Sequence, residues 1–171
     1  MFSKEAAKRR PSLTDEDLQK HEAFISASIR AAQISFNTHE QEKREYLRTA
    51  LLNVLLGTTA DETKQQIFFN AIDAFAAAHI KALQVLAGRT PVPWPNTTIT
   101  HTNRTFISAI EATMPKMKHQ GPLIDAILND LNNRGFATVS KSHLPYQPGG
   151  SSVTNLGLEF LRFVLDPPAS A

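Results

Sequence analysis

The chain has 171 residues, 42% of them hydrophobic and 20% charged, a balance that excludes a wholly disordered protein and suffices for one compact domain or a small domain with a helical extension. Eighteen Lys and Arg stand against 16 Asp and Glu, a net charge of +2, which is a slight basicity and not the composition of a polyanion binder. The absence of cysteine excludes disulfides, thiol catalysis and zinc sites built on thiolates.

Residues 1–12 read as a tail, with a small basic cluster at Lys8-Arg9-Arg10 that a solvated terminus accounts for. Residues 13–88 read as a helical region. Thr14 can cap a helix whose first turn holds Asp15, Glu16 and Asp17, acids that suit the positive end of the helix dipole. Leu18, Ile25, Ile29, Ala32 and Phe36 then recur as one apolar stripe, the mark of an amphipathic helix that must bury that face somewhere. The stripe is a candidate self-association surface, through Leu18, Ile25, Ile29 and Phe36; equally, it can fold back onto the core. Thr38 with Gln41 predicts a capping box for a second helix, with Leu47, Leu51, Val54 and Leu55 on one face, Glu40 able to pair with Arg44, and Gly57 at its C-terminal stop.

Thr59 with Glu62 predicts a further capping box. The apolar spacing continues from it through Ile67, Phe68, Ala71, Ile72 and Phe75 to Ile80, Leu83 and Leu86, ending at Gly88. This is one long helix or two with a break near Ala76–Ala78, and propensity alone does not place the break. Residues 89–103, rich in Pro and Thr, form the clearest connection, with Trp94 expected to pin it to the core.

The segments THEQEKREYLRTALLN at 38–53, QQIFFNAIDAF at 65–75 and HIKAL at 79–83, with Leu131, Arg134 and Gly135 and then Thr154, Leu156, Gly157, Phe160 and Leu161, resemble a pattern that recurs in uncharacterised bacterial proteins. Those proteins have a helical region followed by a C-terminal winged-helix-like domain. The resemblance spans roughly residues 20–165 and implies a fold rather than an activity, because the matching residues are mostly core and capping residues.

The C-terminal segment supports that order on its own physics. FISAIEATM leads to Pro115, PLIDAILNDLNNR to Gly135, and then come FATVS, a loop PYQPGG, a short SSVT and the helix NLGLEFLRFVL. Thr105 and Thr154 are placed to cap helices, Pro122 suits a first turn, and Gly135 suits the left-handed residue after a helix. Ile107, Ile110 and Met114 predict one buried face, Leu123, Ile127, Leu128 and Leu131 a second, and Leu156, Phe160 and Val164 a third. The expected fold is mainly α: a helical N-terminal region plus a C-terminal winged helix with a small β-hairpin over 104–166, and a short tail at 167–171.

A winged helix that reads DNA presents Arg, Lys, Asn or Gln on its recognition helix. Here residues 122–134 offer Asp125, Asn129, Asp130, Asn132, Asn133 and Arg134. Asn129 and Asn132 can read adenine, whereas the two aspartates repel phosphate. Lys116, Lys118 and His119 precede this helix, and Lys141 and His143 fall in the expected wing. The six histidines show no metal-ligand spacing, and neither a Gly-rich phosphate loop nor a nucleophile–base motif occurs. No apolar run approaches the ~20 residues of a membrane span, and the N-terminal residues lack the apolar core of a signal peptide.

The expectation is therefore a cytoplasmic, non-enzymatic interaction module or adaptor, with no cofactor and no small-molecule substrate. It is partnered by another protein or by a second copy of itself. The alternative is a DNA-binding regulator acting through residues 104–165, with Lys116, Lys118, His119, Asn129, Arg134 and Lys141 as its contacts.

Overall fold

The computed structural model describes residues 22–57, 61–90, 103–139 and 152–166, without the side chains of 103–105. Seven α-helices account for most of them: α1 (Glu22–Asn37), α2 (Gln41–Leu55), α3 (Glu62–Ala74), α4 (Ala77–Leu86), α5 (Asn103–Thr113), α6 (Gly121–Asn133) and α7 (Asn155–Leu165), with a 3₁₀ turn at Pro115–Met117 between α5 and α6. Two compact units result, Met1–Ala77 with Arg162–Ala171, and Ala78–Leu161.

In the first unit α1 packs chiefly on α2 and less extensively on α3. It does so through Ala27, Ala31 and Ile34, which are buried. Two small residues one turn apart bring α1 close to its neighbour. Lys43, Tyr46, Leu47, Ala50 and Leu52–Leu55 are buried on α2, and Phe68, Phe69, Ala71 and Ile72 on α3. Phe163 meets Phe68 at 5.2 Å and Phe69 edge-on at 5.5 Å, a favoured aromatic arrangement. The C-terminal carbonyls of α7 are closed from a distance: Asn53, 4% exposed, donates through Nδ2 to the carbonyls of Phe163 (2.9 Å) and Asp166 (3.1 Å).

The apolar run from Ile67 to Leu86 is two helices, broken at Phe75 and Ala76. Phe75 is extended (φ −83°, ψ 136°) and fully buried. Both helix ends at the break are satisfied from the start of α2. Glu40 accepts the Ala77 amide at 2.7 Å, and the Lys43 ammonium donates to the Asp73 carbonyl at 2.7 Å. Orphan groups at helix ends need such partners, and here they come from 37 and 30 residues away. Glu40 is thereby engaged with Ala77, and Arg44 donates to the Thr38 carbonyl at 3.1 Å.

Two expected capping boxes are corrected. The Thr38 hydroxyl accepts from the Glu40 amide at 3.2 Å, a turn ahead of the helix, and the Glu40 side chain makes no cap hydrogen bond to α2. The cap of α3 is Asp61, whose carboxylate accepts the Lys64 amide at 2.9 Å; Thr59 lies outside the described residues.

In the second unit α5 buries Phe106, Ala109 and Ile110, and α6 buries Ile124, Ile127, Leu128 and Leu131. Leu123, expected inside, is 48% exposed, and Ile124 takes its place. Pro115 opens the 3₁₀ turn and Pro122 sits in the first turn of α6. Gly135 is left-handed at φ 78°, where a Cβ would be strained. Thr154 caps α7: its hydroxyl accepts from the Gly157 amide (3.0 Å) and donates to the Gly135 carbonyl (2.7 Å). Between α6 and α7 the chain pairs antiparallel at Ala137 and Val153, with Thr138 donating to Ser152 (2.9 Å) and Thr154 to Phe136 (3.1 Å). Among the described residues this is an isolated bridge and no strand forms. The expected wing, residues 140–151, lies outside them. The fold is mainly helical.

Candidate functional site

The stripe singled out on α1 is the exposed face of that helix. Ile25 is 40% exposed, Ile29 58% and Phe36 87%, and Ala32 beside them is exposed too; Leu18 lies outside the described residues. At about 100° per residue the stripe and the buried set Ala27, Ala31 and Ile34 lie roughly 160° apart on the helix. The stripe therefore does not fold back onto the core, one of the two possibilities expected of it: the small face of α1 docks, and the bulky face meets solvent.

The flanks of the stripe are uncharged beyond the first turn of α1. Ser26 and Gln33 border it on one side and are exposed, and Ser28 and Ser35 on the other are half-buried. Arg30 stands further round the helix. Its Nη2 donates to Asp73 Oδ2 at 3.0 Å and to Asn70 Oδ1 at 3.1 Å, which ties α1 to α3. Beside that tie an open groove of about 300 Å³ runs between the two helices, floored by Ala23, Ala27 and Phe69 and edged by Arg30, Glu62 and Gln66. Sequence reasoning missed both the tie and the groove. The one signal for the tie is the spacing of Asn70 and Asp73, three apart on one face of α3 and so able to share a single guanidinium.

Among the described residues, those named for DNA contact are interleaved with acids. Lys116, Lys118 and His119 are exposed around the 3₁₀ turn. His119 has φ 65°, and its amide donates to the Glu111 carboxylate at 2.9 Å, so an acid sits within that cluster. Arg134 pairs through Nε with Asp130 at 3.1 Å, and Asp130 also lies 3.5 Å from His79 Nε2. Asn132 accepts the Val139 amide through its side-chain oxygen at 3.2 Å and so helps hold the chain after α6. Asn129 is half-buried, and Lys141 lies outside the described residues. Asp125 and Asp130, expected to face outward, are both half-buried. The exposed residues of α6 are instead Pro122, Leu123, Ala126, Asn132 and Asn133, none of them a cation.

Among the described residues no group of three or more His, Asp or Glu is placed to hold a metal ion, and no helix is long and apolar enough to cross a membrane. No protein-family model, curated protein or solved structure matches this chain.

Proposed function

We propose that this protein is a cytoplasmic, non-enzymatic interaction module that self-associates through α1 and carries a winged-helix-like arrangement after residue 103. The observation that carries the proposal is the outward face of α1, where Ile29 and Phe36 are 58% and 87% exposed on a helix already docked by its opposite side. Large apolar side chains aligned on one face, bordered by uncharged residues, are the composition of an interface core. The winged-helix part of the proposal is supported by the sequence of elements α5, α6, antiparallel bridge and α7, and by the left-handed Gly135 and the Thr154 cap at its two corners. It is the arrangement implied by the resemblance to uncharacterised bacterial proteins.

A protein partner is favoured over DNA by the outer side of α6, which offers apolar contacts and no cation. Light scattering at about 100 μM, a concentration that would saturate a dimer with Kd on the order of micromolar, is expected to give twice the 18.9 kDa mass of one chain, and Ile25→Glu with Ile29→Glu a folded single chain. A wild type that stays monomeric there defeats the proposal. Titration with labelled duplex is expected to show affinity weaker than ~10⁻⁶ M at physiological salt. Tight, salt-sensitive binding that is lost on replacing Lys116 and Lys118 by Ala promotes the DNA-binding alternative instead.

A further inference from the structure

The apolar face of α1 is self-complementary, and this sets how two copies meet. The stripe positions Ile25, Ile29, Ala32 and Phe36 follow spacings of four, three and four, the repeat of a coiled-coil seam. They are also symmetric about one point, midway between Arg30 and Ala31: Ile25 and Phe36 are equidistant from it, and so are Ile29 and Ala32. We infer that α1 pairs with α1 of a second copy in antiparallel register about that point, setting Ile25 against Phe36 and Ile29 against Ala32 in each half. This rests on the self-association proposed above and adds its partner face and direction.

Three features argue for this register. A two-fold interface needs each residue's partner to find that residue in return, and the four stripe positions on α1 meet the condition. Layer volumes also match: antiparallel pairing puts a large residue against the small Ala32, whereas a parallel pair stacks Ala32 on Ala32 and leaves a void beside a crowded Phe36 layer. Charge does not oppose it, because Ser26, Ser28, Gln33 and Ser35 border the seam. The next level outward sets Glu22, which is exposed, at the height of the exposed His39 of the second copy, so no like charges are forced together.

The chain contains no cysteine, so introduced thiols report the register directly. Ile25→Cys and Phe36→Cys are made separately, mixed, oxidised and read by mass spectrometry. In the antiparallel pair these two positions are level. Two Phe36→Cys residues are about 16 Å apart along the helix axis at 1.5 Å per residue, beyond the roughly 7 Å that a disulfide spans. The mixed Ile25→Cys/Phe36→Cys disulfide is expected in at least tenfold excess over the Phe36→Cys homodimer. A second pair, Ser26→Cys with Gln33→Cys, leaves the seam intact and is expected to cross-link likewise. A doubled mass with Phe36→Cys linking to itself, or with neither mixed pair linking, overturns the register and leaves self-association standing. A monomeric wild type overturns both.

Discussion

Helices α1 and α6 each carry an apolar stripe visible in the sequence, and they use it in opposite ways. On α6 the bulky stripe is the core side: Ile124, Ile127, Leu128 and Leu131 are buried. On α1 the bulky stripe faces out and a stripe of smaller residues faces in. The two stripes have the same periodicity, since Ala27, Ala31 and Ile34 on α1 and Thr38 just past its end, all buried, repeat the spacing of Ile25, Ile29, Ala32 and Phe36 two residues later. Period therefore identifies a helix and its possible faces, but side-chain volume selects the face that docks. Close approach to α2 favours alanine, and a bulky residue is kept out unless the gap admits it.

The largest expected effect breaks this contrast at α6. Ile127 is 4% exposed, and truncating such a residue to alanine costs about 2–5 kcal/mol. Ile127→Asp adds the burial of an unpaired carboxylate and is expected to abolish cooperative thermal unfolding near the wild-type Tm. Ile29→Asp, at a position 58% exposed, is expected to leave the secondary structure and the unfolding transition of the single chain in place. If circular dichroism shows the two variants melting alike, the assignment of inner and outer faces is wrong.

The next effect sharpens the role of volume on α1. Ala31 is 4% exposed, and placing a larger side chain in a packed seam costs about 1–3 kcal/mol. Ala31→Leu raises the hydrophobicity of the buried stripe yet is expected to lower the urea midpoint. A raised midpoint would mean that the seam has room, and that small volume does not explain why this face docks.

These contrasts mark where sequence and structure part. The helices are legible in the sequence, and so are their local stops: Gly57, Gly88 and Gly135 are all left-handed where a stop is expected, and Thr154 caps α7 as its position predicts. Long-range stops are not legible. The break at Phe75 depends on Glu40 and Lys43, and the end of α7 on Asn53, 110 residues before Phe163. Nothing in the local pattern of either helix reports a partner so far off. Gly157 shows the same limit: a Cβ there would fall on the Phe136 carbonyl and 2.7 Å from Val153 Cγ1, so the glycine admits close backbone approach rather than ending a helix. For the candidate site, the stripe is legible and its direction is not, because exposure depends on what α2 and α3 present to α1. The surroundings of the expected DNA contacts are legible only in part for a related reason: the sequence displays Arg134 as a cation at the end of α6, whereas in the fold it is paired with Asp130.

The smallest expected effect separates packing from charge in holding α1. Arg30 bridges to Asp73 and Asn70 on α3, but its side chain and that of Asp73 are 40% and 41% exposed. An ion pair this open is screened by water and contributes about 0.2–1 kcal/mol. Arg30→Ala is therefore expected to lower stability by no more than about 1 kcal/mol, less than Ala31→Leu, and the difference from wild type should shrink in 1 M salt as the pair is screened. Arg30 also stands roughly a third of a turn from the centre of the exposed stripe, so the variant should keep the doubled mass that Ile25→Glu with Ile29→Glu abolishes. A salt-insensitive loss above about 2 kcal/mol, outside the range of exposed pairs, would show that the bridge to α3, rather than the small-residue seam on α2, decides which face of α1 turns inward.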